Sequence, residues 1–132
     1  MALKDKLKDQ AALIVEDEEG VGSFAAKALS LFGFQKVDLA EDEEKALELL
    51  SSQKYHFILA DTNYGAPSAK DHYGPRIVVA ARKLGQQPII IATSGLESSK
   101  EFWKGESMPN LFLVKPFSLA DLKASIEIVY QA

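Results

Sequence analysis

Short apolar runs alternate along the chain with segments in which apolar residues recur every three or four positions. The runs show little polar alternation, which is typical of strands buried on both faces of a parallel sheet. We predict five such strands, at Ala11–Val15, Lys36–Ala40, Phe57–Ala60, Pro88–Thr93 and Leu111–Val114. Because the strands are separated by helical segments, the pattern indicates an α/β fold, a doubly wound parallel sheet covered by helices on both faces.

Five helical segments fill the gaps, and their ends carry recognisable stop and start residues. Gly33 suits a left-handed stop after the first, Pro75 lies near the start of the third, and Ser118 with Asp121 forms a capping box at the last. The second segment spans Asp42–Ser51, and the fourth, Ser98–Lys104, has only two turns. The inward positions predicted for the first, second, third and fifth segments, in chain order, are Val21, Phe24, Ala25, Ala28 and Phe32; Ala46, Leu47 and Leu50; Ile77, Ala80, Ala81 and Leu84; and Leu119, Leu122, Ile126 and Val129.

The composition fits one domain, which we place at residues 11–132 after an N-terminal lead-in of residues 1–10 that is either a frayed helix or disordered. The 132 residues are 47% hydrophobic and 26% charged, and 19 acidic against 15 basic residues leave a net charge of −4. This surface disfavours direct nucleic-acid binding. No apolar run approaches the roughly 20 residues of a membrane span, and the N-terminus is too charged for a secretory signal, so we expect a cytoplasmic protein without membrane insertion.

Polar side chains follow most of the predicted strands at the point where each strand ends. Glu16 and Asp17 follow the first strand, Asp61 the third, Thr93 lies at the end of the fourth, and Lys115 follows the fifth. Parallel strands point the same way, so these residues gather at one edge of the sheet. With the strand order 2-1-3-4-5 of a flavodoxin-like three-layer sandwich, the four strands that end in these polar residues are neighbours in the sheet.

Three carboxylates at this edge would repel one another unless a cation compensated them. The chain has no cysteine and two histidines, and oxygen ligands suit Mg²⁺, which often completes its shell with phosphate oxygens. Lys115 and Thr93 supply the ammonium and hydroxyl groups that hold a transferring phosphoryl group. An anionic aspartate can itself attack phosphorus and form an aspartyl phosphate.

The fragments LIVED, FILAD, IIIATS and LFLVKPF, in this order and spacing, resemble the receiver domain of two-component response regulators over nearly the whole chain. The resemblance implies that Asp61 accepts a phosphoryl group from a sensor histidine kinase or phosphotransfer protein. It further implies that Glu16, Asp17, Asp61 and the carbonyl of Asn63 hold Mg²⁺, and that Thr93 and Lys115 contact the phosphoryl group.

In that family, phosphorylation moves the hydroxyl residue and turns an aromatic residue of the fifth strand inward, and Phe112 occupies the aromatic position. This motion reshapes the face formed by the fourth helix, fifth strand and last helix, where a downstream protein effector binds. The resemblance therefore implies a stand-alone phospho-accepting signalling domain rather than an enzyme, with self-phosphorylation and autodephosphorylation as its only reactions.

The sequence departs from the family pattern at several positions. Glu16 stands where Asp is commoner, and Phe112 lacks the phenolic hydroxyl of the commoner Tyr. The loop Thr62–Tyr73 is long, and we expect it to act as a lid, to slow phosphate loss or to admit a particular kinase. Trp103, in the fourth helical segment, is either half-buried packing or a partner contact.

Three alternative functions stay open at this point. Gly20–Ala25 fits G-x-G-x-x-A of a dinucleotide site, although four acidic residues precede it and would repel pyrophosphate. A receiver-like interaction domain that is never phosphorylated would also need a docking face. An aspartyl-type Mg²⁺-dependent phosphatase would carry a second acid near the nucleophile, where this chain has Asn63.

Overall fold

The computed structural model describes residues 2–62, 73–95 and 97–132. Five parallel strands form one sheet in the order β2-β1-β3-β4-β5, which confirms the predicted topology. The strands are Ala11–Val15 (β1), Lys36–Ala40 (β2), Phe57–Asp61 (β3), Ile89–Ser94 (β4) and Leu111–Val114 (β5). Each begins and ends within one residue of its predicted position, because apolar, β-branched runs bounded by polar residues mark buried strands sharply.

Helices cover both faces of this sheet. Their bounds are Leu3–Leu7 (α1), Glu19–Phe32 (α2), Glu43–Ser52 (α3), Tyr73–Lys83 (α4) and Leu119–Tyr130 (α5). Gly33 ends α2 with a φ of 125°, a conformation that side chains larger than hydrogen disfavour. The side chain of Asp42 accepts a hydrogen bond from the Lys45 amide at the start of α3. Ser118 and Asp121 exchange hydrogen bonds of 3.0 Å, so the predicted capping box is confirmed.

The predicted fourth helix, Ser98–Lys104, is wrong. Two 3-10 helices, η1 (Glu97–Phe102) and η2 (Gly105–Ser107), occupy this stretch. Two turns of α-helix form too few hydrogen bonds to offset nucleation, and Gly105 has a φ of 57° that no α-helix continues through.

Three inward positions predicted from helical periodicity are also wrong. Leu119 is 43% exposed, Leu84 53% and Phe24 39%. Leu119 is the first residue of α5, and Leu84 lies just beyond the end of α4, so neither is held against the sheet by a full turn on both sides. Periodicity predicts which face of a helix is apolar, but the ends of a helix extend past the surface that could bury them.

The core is divided by the sheet into two apolar clusters. One contains Leu29 and Phe32 of α2 and Leu122 and Ile126 of α5, packed on Ile14 and neighbouring sheet residues. The other lies beneath α3 and α4 and includes Leu50, Ile77 and, beyond them, Trp103. Burying a large aliphatic side chain contributes about 1.5–3 kcal/mol. Apolar burial on both faces therefore holds the strands in place and leaves their polar ends free for chemistry.

The first ten residues are packed against the domain through a short helix. Leu3 and Leu7 of α1 join the cluster beneath α2 and α5. The Lys6 ammonium donates to the carbonyls of Tyr130 and Gln131 at 2.7 and 2.9 Å, where the end of α5 leaves carbonyls without helical partners. Among the described residues, no helix is both long enough and apolar enough to cross a membrane.

Candidate functional site

Carboxylates from two neighbouring strands converge at the carboxyl edge of the sheet. The Glu16 amide donates to the Ala40 carbonyl at 3.1 Å, extending the pairing with β2 by one residue, and its side chain is only 4% exposed. Asp17 follows it, and Asp61 ends β3 on the adjacent strand. One carboxylate oxygen from each of Glu16, Asp17 and Asp61 lies within 4.8 Å of the others. We call these three residues the acidic cluster.

Lys115 brings a positive charge directly into the acidic cluster. Its Nζ lies 2.6 Å from Glu16 Oε1, 3.3 Å from Asp61 Oδ1 and 3.9 Å from Glu18 Oε2. The backbone amide of Lys115 donates to the Ser94 carbonyl at 2.8 Å, and the Lys115–Pro116 peptide bond is cis. Glu16, at the position where the family more often has Asp, thus pairs directly with this ammonium group.

Burial is the main cause that raises the pKa of both Asp61 and Glu16. Desolvation, followed by the charge of Glu16, raises the pKa of Asp61 from 3.8 to about 6, although Lys115 opposes the shift. Desolvation likewise raises the pKa of Glu16 against the hydrogen bond from Lys115. Burial by itself lowers the pKa of Lys115, but the hydrogen bond to Glu16 and the charges of Asp61 and Glu16 outweigh it, so its pKa is raised.

The donor set of the acidic cluster fits a hard divalent cation. Three carboxylates lie together, Lys115 contacts Glu16 and Asp61 among them, and carboxylate oxygens are the ligands that Mg²⁺ prefers. A divalent cation there would offset the charge of Glu16, which adds to desolvation in raising the pKa of Asp61. Asn63, the fourth predicted ligand, lies outside the described residues, as does nearly all of the loop Thr62–Tyr73.

The two predicted switch residues lie on β4 and β5. Thr93 is paired with Asp61 in the β3–β4 register and is 2% exposed. Phe112, on β5, is half-buried and is paired with Ala92 of β4. Its side chain packs against the apolar cluster beneath α3 and α4. The Lys100 ammonium of η1 lies 5.4 Å from the centre of the Phe112 ring. The fold thus places a hydroxyl residue next to Asp61 and an aromatic residue one strand further out.

A groove of about 540 Å³ opens beside the acidic cluster. Lys115 forms part of its wall, and the rest is largely apolar, with Val21 and Phe24 from α2 and Phe117 after β5. The Phe24 and Phe117 rings lie 6.2 Å apart between their centroids. The groove leads along the N-terminal end of α2 to Lys115.

The glycine pattern of a dinucleotide site lies in the wrong place. Gly20 and Gly22 fall inside α2, which begins at Glu19, rather than in a loop ahead of the helix. A Cβ at Gly22 would lie 3.0 Å from Leu39 Cδ1, so this glycine allows α2 to pack closely on β2. Gly22 therefore has a packing role, a Cβ at Gly20 would meet no atom within 4 Å, and no phosphate-binding loop precedes α2 in the described segment 11–18.

Sequence reasoning missed a hydrogen-bonded group just below Asp61. Trp103 is 2% exposed, so neither half-burial nor a partner contact describes it. Its indole Nε1 donates to the Thr62 hydroxyl at 2.9 Å, and that hydroxyl donates to the Thr93 carbonyl at 2.9 Å. Trp103 and Thr62 are 41 positions apart in the chain, and no spacing motif signals such a contact.

Comparison with known proteins agrees with this arrangement. The model of the response regulator receiver domain family matches residues 12–127. A probable chemotaxis protein CheY from Rhizobium etli is 26% identical over 132 residues, which are 100% of this chain and 98% of the relative.

Solved structures share the fold. A CheY-like response regulator receiver domain from Methylobacillus flagellatus is 25% identical, with a TM-score of 0.74 over 92% of this chain and 98% of that one. The receiver domain of the sensor histidine kinase PA1611 from Pseudomonas aeruginosa, with magnesium coordinated in its active-site cleft, is 24% identical, with a TM-score of 0.70 over 94% of this chain and 99% of that one.

Receiver domains of this type are signalling domains of two-component phosphorelays rather than classical enzymes. They bind Mg²⁺ at an acidic pocket and interact with histidine kinases and effectors. The match spans most of the chain, and the fold carries the expected strand order with acidic residues at its carboxyl edge. The chain therefore belongs to the response regulator receiver domain family.

Proposed function

We propose that this protein is a phosphorylation-controlled switch in which Asp61 accepts the phosphoryl group. The observation that carries the proposal is the convergence of Asp61 with two further carboxylates and with the Lys115 ammonium, 3.3 Å from Asp61 Oδ1. A purely structural ion pair would need only one carboxylate to balance the lysine, and this cluster has three. A cluster with an excess of buried negative charge is suited instead to a divalent cation and the phosphoryl oxygens that the cation attracts.

Glu16, Asp17 and Asp61 would hold Mg²⁺, and the resemblance to the family adds the carbonyl of Asn63. When bound, the ion neutralises negative charge on the phosphoryl oxygens. Lys115 is positioned to leave its contact with Asp61 Oδ1 and to bind a phosphoryl oxygen, and Thr93 lies on the strand next to Asp61. The chain thus offers an ammonium group and a hydroxyl residue that can contact the phosphoryl oxygens.

The donor is a phosphohistidine of a sensor histidine kinase or a phosphotransfer protein. A carboxylate oxygen of Asp61 bonds to phosphorus while the bond from phosphorus to the donor nitrogen breaks. The imidazole nitrogen retains the electron pair of that bond and takes up a proton from water. Donor and acceptor must meet without a layer of water between them, and the open groove walled by Lys115, whose ammonium lies 3.3 Å from Asp61 Oδ1, supports this in-line approach.

The output follows from where Thr93 and Phe112 lie. We expect Thr93 to be drawn toward the new phosphoryl group and Phe112 to move inward into the space beside β4. Phe112 would be held there by packing alone, since it has no hydroxyl. The affected face consists of residues 97–107, β5 and α5, and it would bind a downstream protein effector with an affinity that depends on phosphorylation.

Intact-mass spectrometry with acetyl phosphate as the small phosphodonor tests the proposal. The wild-type protein should gain the mass of one phosphoryl group in the presence of Mg²⁺ and none when the metal is chelated. Asp61→Asn should gain nothing. Glu19→Gln is the matched control, because it removes an exposed carboxylate of the same loop–helix junction that is outside the acidic cluster.

Two results would contradict the proposal. A wild-type protein that gains no mass from competent donors is not a phosphoryl acceptor. Equal labelling of the wild type and Asp61→Asn would place the acceptor elsewhere in the chain. If an effector then bound equally to both, with and without the donor, the domain would be an interaction module that is independent of phosphorylation.

A further inference from the structure

Thr62 lies between the acidic cluster and the segment of residues 97–107. It directly follows Asp61 and is 1% exposed. Its amide and its hydroxyl both donate to the Thr93 carbonyl, at 3.0 and 2.9 Å. The same hydroxyl oxygen accepts the Trp103 indole N–H at 2.9 Å. One side chain therefore contacts the strand of the proposed phosphoacceptor, the strand of Thr93 and the segment that connects β4 to β5.

The indole of Trp103 is enclosed so tightly that it cannot turn independently of its surroundings. A Cβ placed on Gly74 would lie 3.0 Å from Trp103 Cζ2 and 2.3 Å from the Asp61 carbonyl oxygen, so the start of α4 has no spare volume between them. The Trp103 amide donates to the Lys100 carbonyl at 3.1 Å at the end of η1. Close-packed interiors transmit displacements rather than absorbing them.

The segment that carries Trp103 is well suited to respond. It consists of two 3-10 helices, whose hydrogen-bond geometry is poorer than that of an α-helix. Lys100 of the same segment lies over the Phe112 ring on β5. A movement of the Trp103 backbone would consequently reach both the exposed surface of residues 97–107 and the neighbouring edge strand.

We infer that Thr62 and Trp103 form a hydrogen-bonded relay that couples the state of Asp61 to the position of residues 97–107. The inference rests on the proposed function, since it specifies how that same site is read out. Phosphorylation changes the charge at Asp61 and pulls Thr93 toward the phosphoryl group. Thr62 is connected to both residues, because it follows Asp61 in the chain and donates hydrogen bonds to the Thr93 carbonyl. Trp103 is a positioning residue in this relay and does not touch the reacting atoms.

Trp103 is the single tryptophan of the sequence, so its fluorescence reports on the relay without interference. The test measures tryptophan emission and intact mass on the same samples, with Mg²⁺ and acetyl phosphate, for the wild type, Thr62→Val and Thr62→Ser. Valine keeps the shape of the side chain and removes the hydroxyl, whereas serine keeps the hydroxyl. We expect an emission change in the wild type that is retained in Thr62→Ser and falls by more than half in Thr62→Val, when each is expressed per phosphorylated molecule.

A second measurement guards against a variant that folds poorly. Hydrogen exchange of residues 97–107, followed by mass spectrometry, should change on phosphorylation in the wild type and should not change in Trp103→Phe, which lacks the indole N–H. If Trp103 has a purely structural role, Trp103→Phe will exchange differently from the wild type by the same amount in the phosphorylated and unphosphorylated states. The change in exchange on phosphorylation will then be the same in the variant as in the wild type.

The outcomes separate the relay from the proposed function. If the wild type gains one phosphoryl group but neither its emission nor its exchange changes, the relay is wrong and the proposed function stands. An unreduced response in both Thr62→Val and Trp103→Phe overturns the relay as well. A wild type that gains no mass overturns the proposed function first, and the relay together with it.

Discussion

Two polar clusters lie at different places on the sheet, and they satisfy their charges in opposite ways. At the outer strand β2, Asp38 accepts hydrogen bonds from the Tyr55 hydroxyl at 2.5 Å and from the Gln53 amide at 3.1 Å, with Lys36 Nζ 3.7 Å away. Here one carboxylate has three polar partners. In the acidic cluster, three carboxylates lie together and Lys115 contacts two of them, Glu16 and Asp61. The carboxylate of Asp38 is hydrogen-bonded by the protein itself, whereas at Asp61 desolvation and the charge of Glu16 outweigh Lys115 and raise the pKa to about 6.

The neighbouring Gln86 shows how thoroughly the first region is satisfied. Its side-chain amide donates to the carbonyls of Leu50 and Gln53 at the end of α3, and its oxygen accepts the Tyr55 amide. These bonds bind helix, loop and strand together and use every polar atom of the side chain that points inward. Buried groups that are fully hydrogen-bonded stabilise a fold, and buried groups with unbalanced charge store free energy that a ligand can release.

The largest effect is expected when the acidic cluster loses the lysine that contacts both Glu16 and Asp61. Lys115→Met should slow phosphorylation by acetyl phosphate about 100-fold, because a group that stabilises developing charge contributes roughly that factor to the rate. The rate of mass gain measures it. Lys123→Met, at an exposed lysine of α5, is the control and should keep the wild-type rate. A loss of less than about twofold would mean that Lys115 balances charge at rest and takes no part in the transfer.

Removing the charge of Asp61 should stabilise the metal-free protein. The folded protein holds the Asp61 proton with a pKa of about 6 against 3.8 for the ordinary group, so unfolding releases a proton between these pH values. The free energy of unfolding of the wild type therefore falls as the pH rises through that interval. In EDTA at pH 7.5, Asp61→Asn should be more stable by about 1–3 kcal/mol.

Urea denaturation across pH checks this prediction. The advantage of Asp61→Asn should shrink below pH 6 and vanish below about pH 3, where Asp61 is protonated in both the folded and the unfolded states. Asp42→Asn is the control, since it removes an exposed carboxylate and retains an oxygen that can cap α3. A variant that is less stable than the wild type at pH 7.5 would show that the ion pair with Lys115 outweighs the cost of burying Asp61.

The opposite result is expected in the cluster around Asp38. Tyr55→Phe removes the hydroxyl donated to Asp38 and should lower the free energy of unfolding by about 1.5 kcal/mol, typical of a hydrogen bond to a charged group. Urea denaturation measures the loss, and the rate of phosphorylation should stay at the wild-type value. A slower phosphorylation in Tyr55→Phe would show that the two clusters are coupled through the sheet, contrary to the comparison.

The comparison also shows why sequence reasoning located one of the clusters and overlooked the other. Glu16, Asp17, Asp61 and Lys115 each follow a predicted strand, and parallel strands bring their ends together whatever the details of packing. Asp38 lies within a strand, and its partners Tyr55 and Gln53 come from the connection after α3. No rule of strand ends applies to them, so their meeting depends on the exact path of that connection.

The sequence by itself determined the five strands, four of the covering helices and the convergence of the acidic cluster, because these follow from local hydrophobic patterns and the geometry of parallel sheets. Tertiary structure alone decided that Glu16 reaches Lys115 at 2.6 Å, that residues 97–107 form 3-10 helices, and that Trp103 is buried beneath Asp61 with its indole bonded to Thr62. These features depend on contacts between residues far apart in the chain. Their free energies are set by how closely the packed elements approach, which no local pattern encodes.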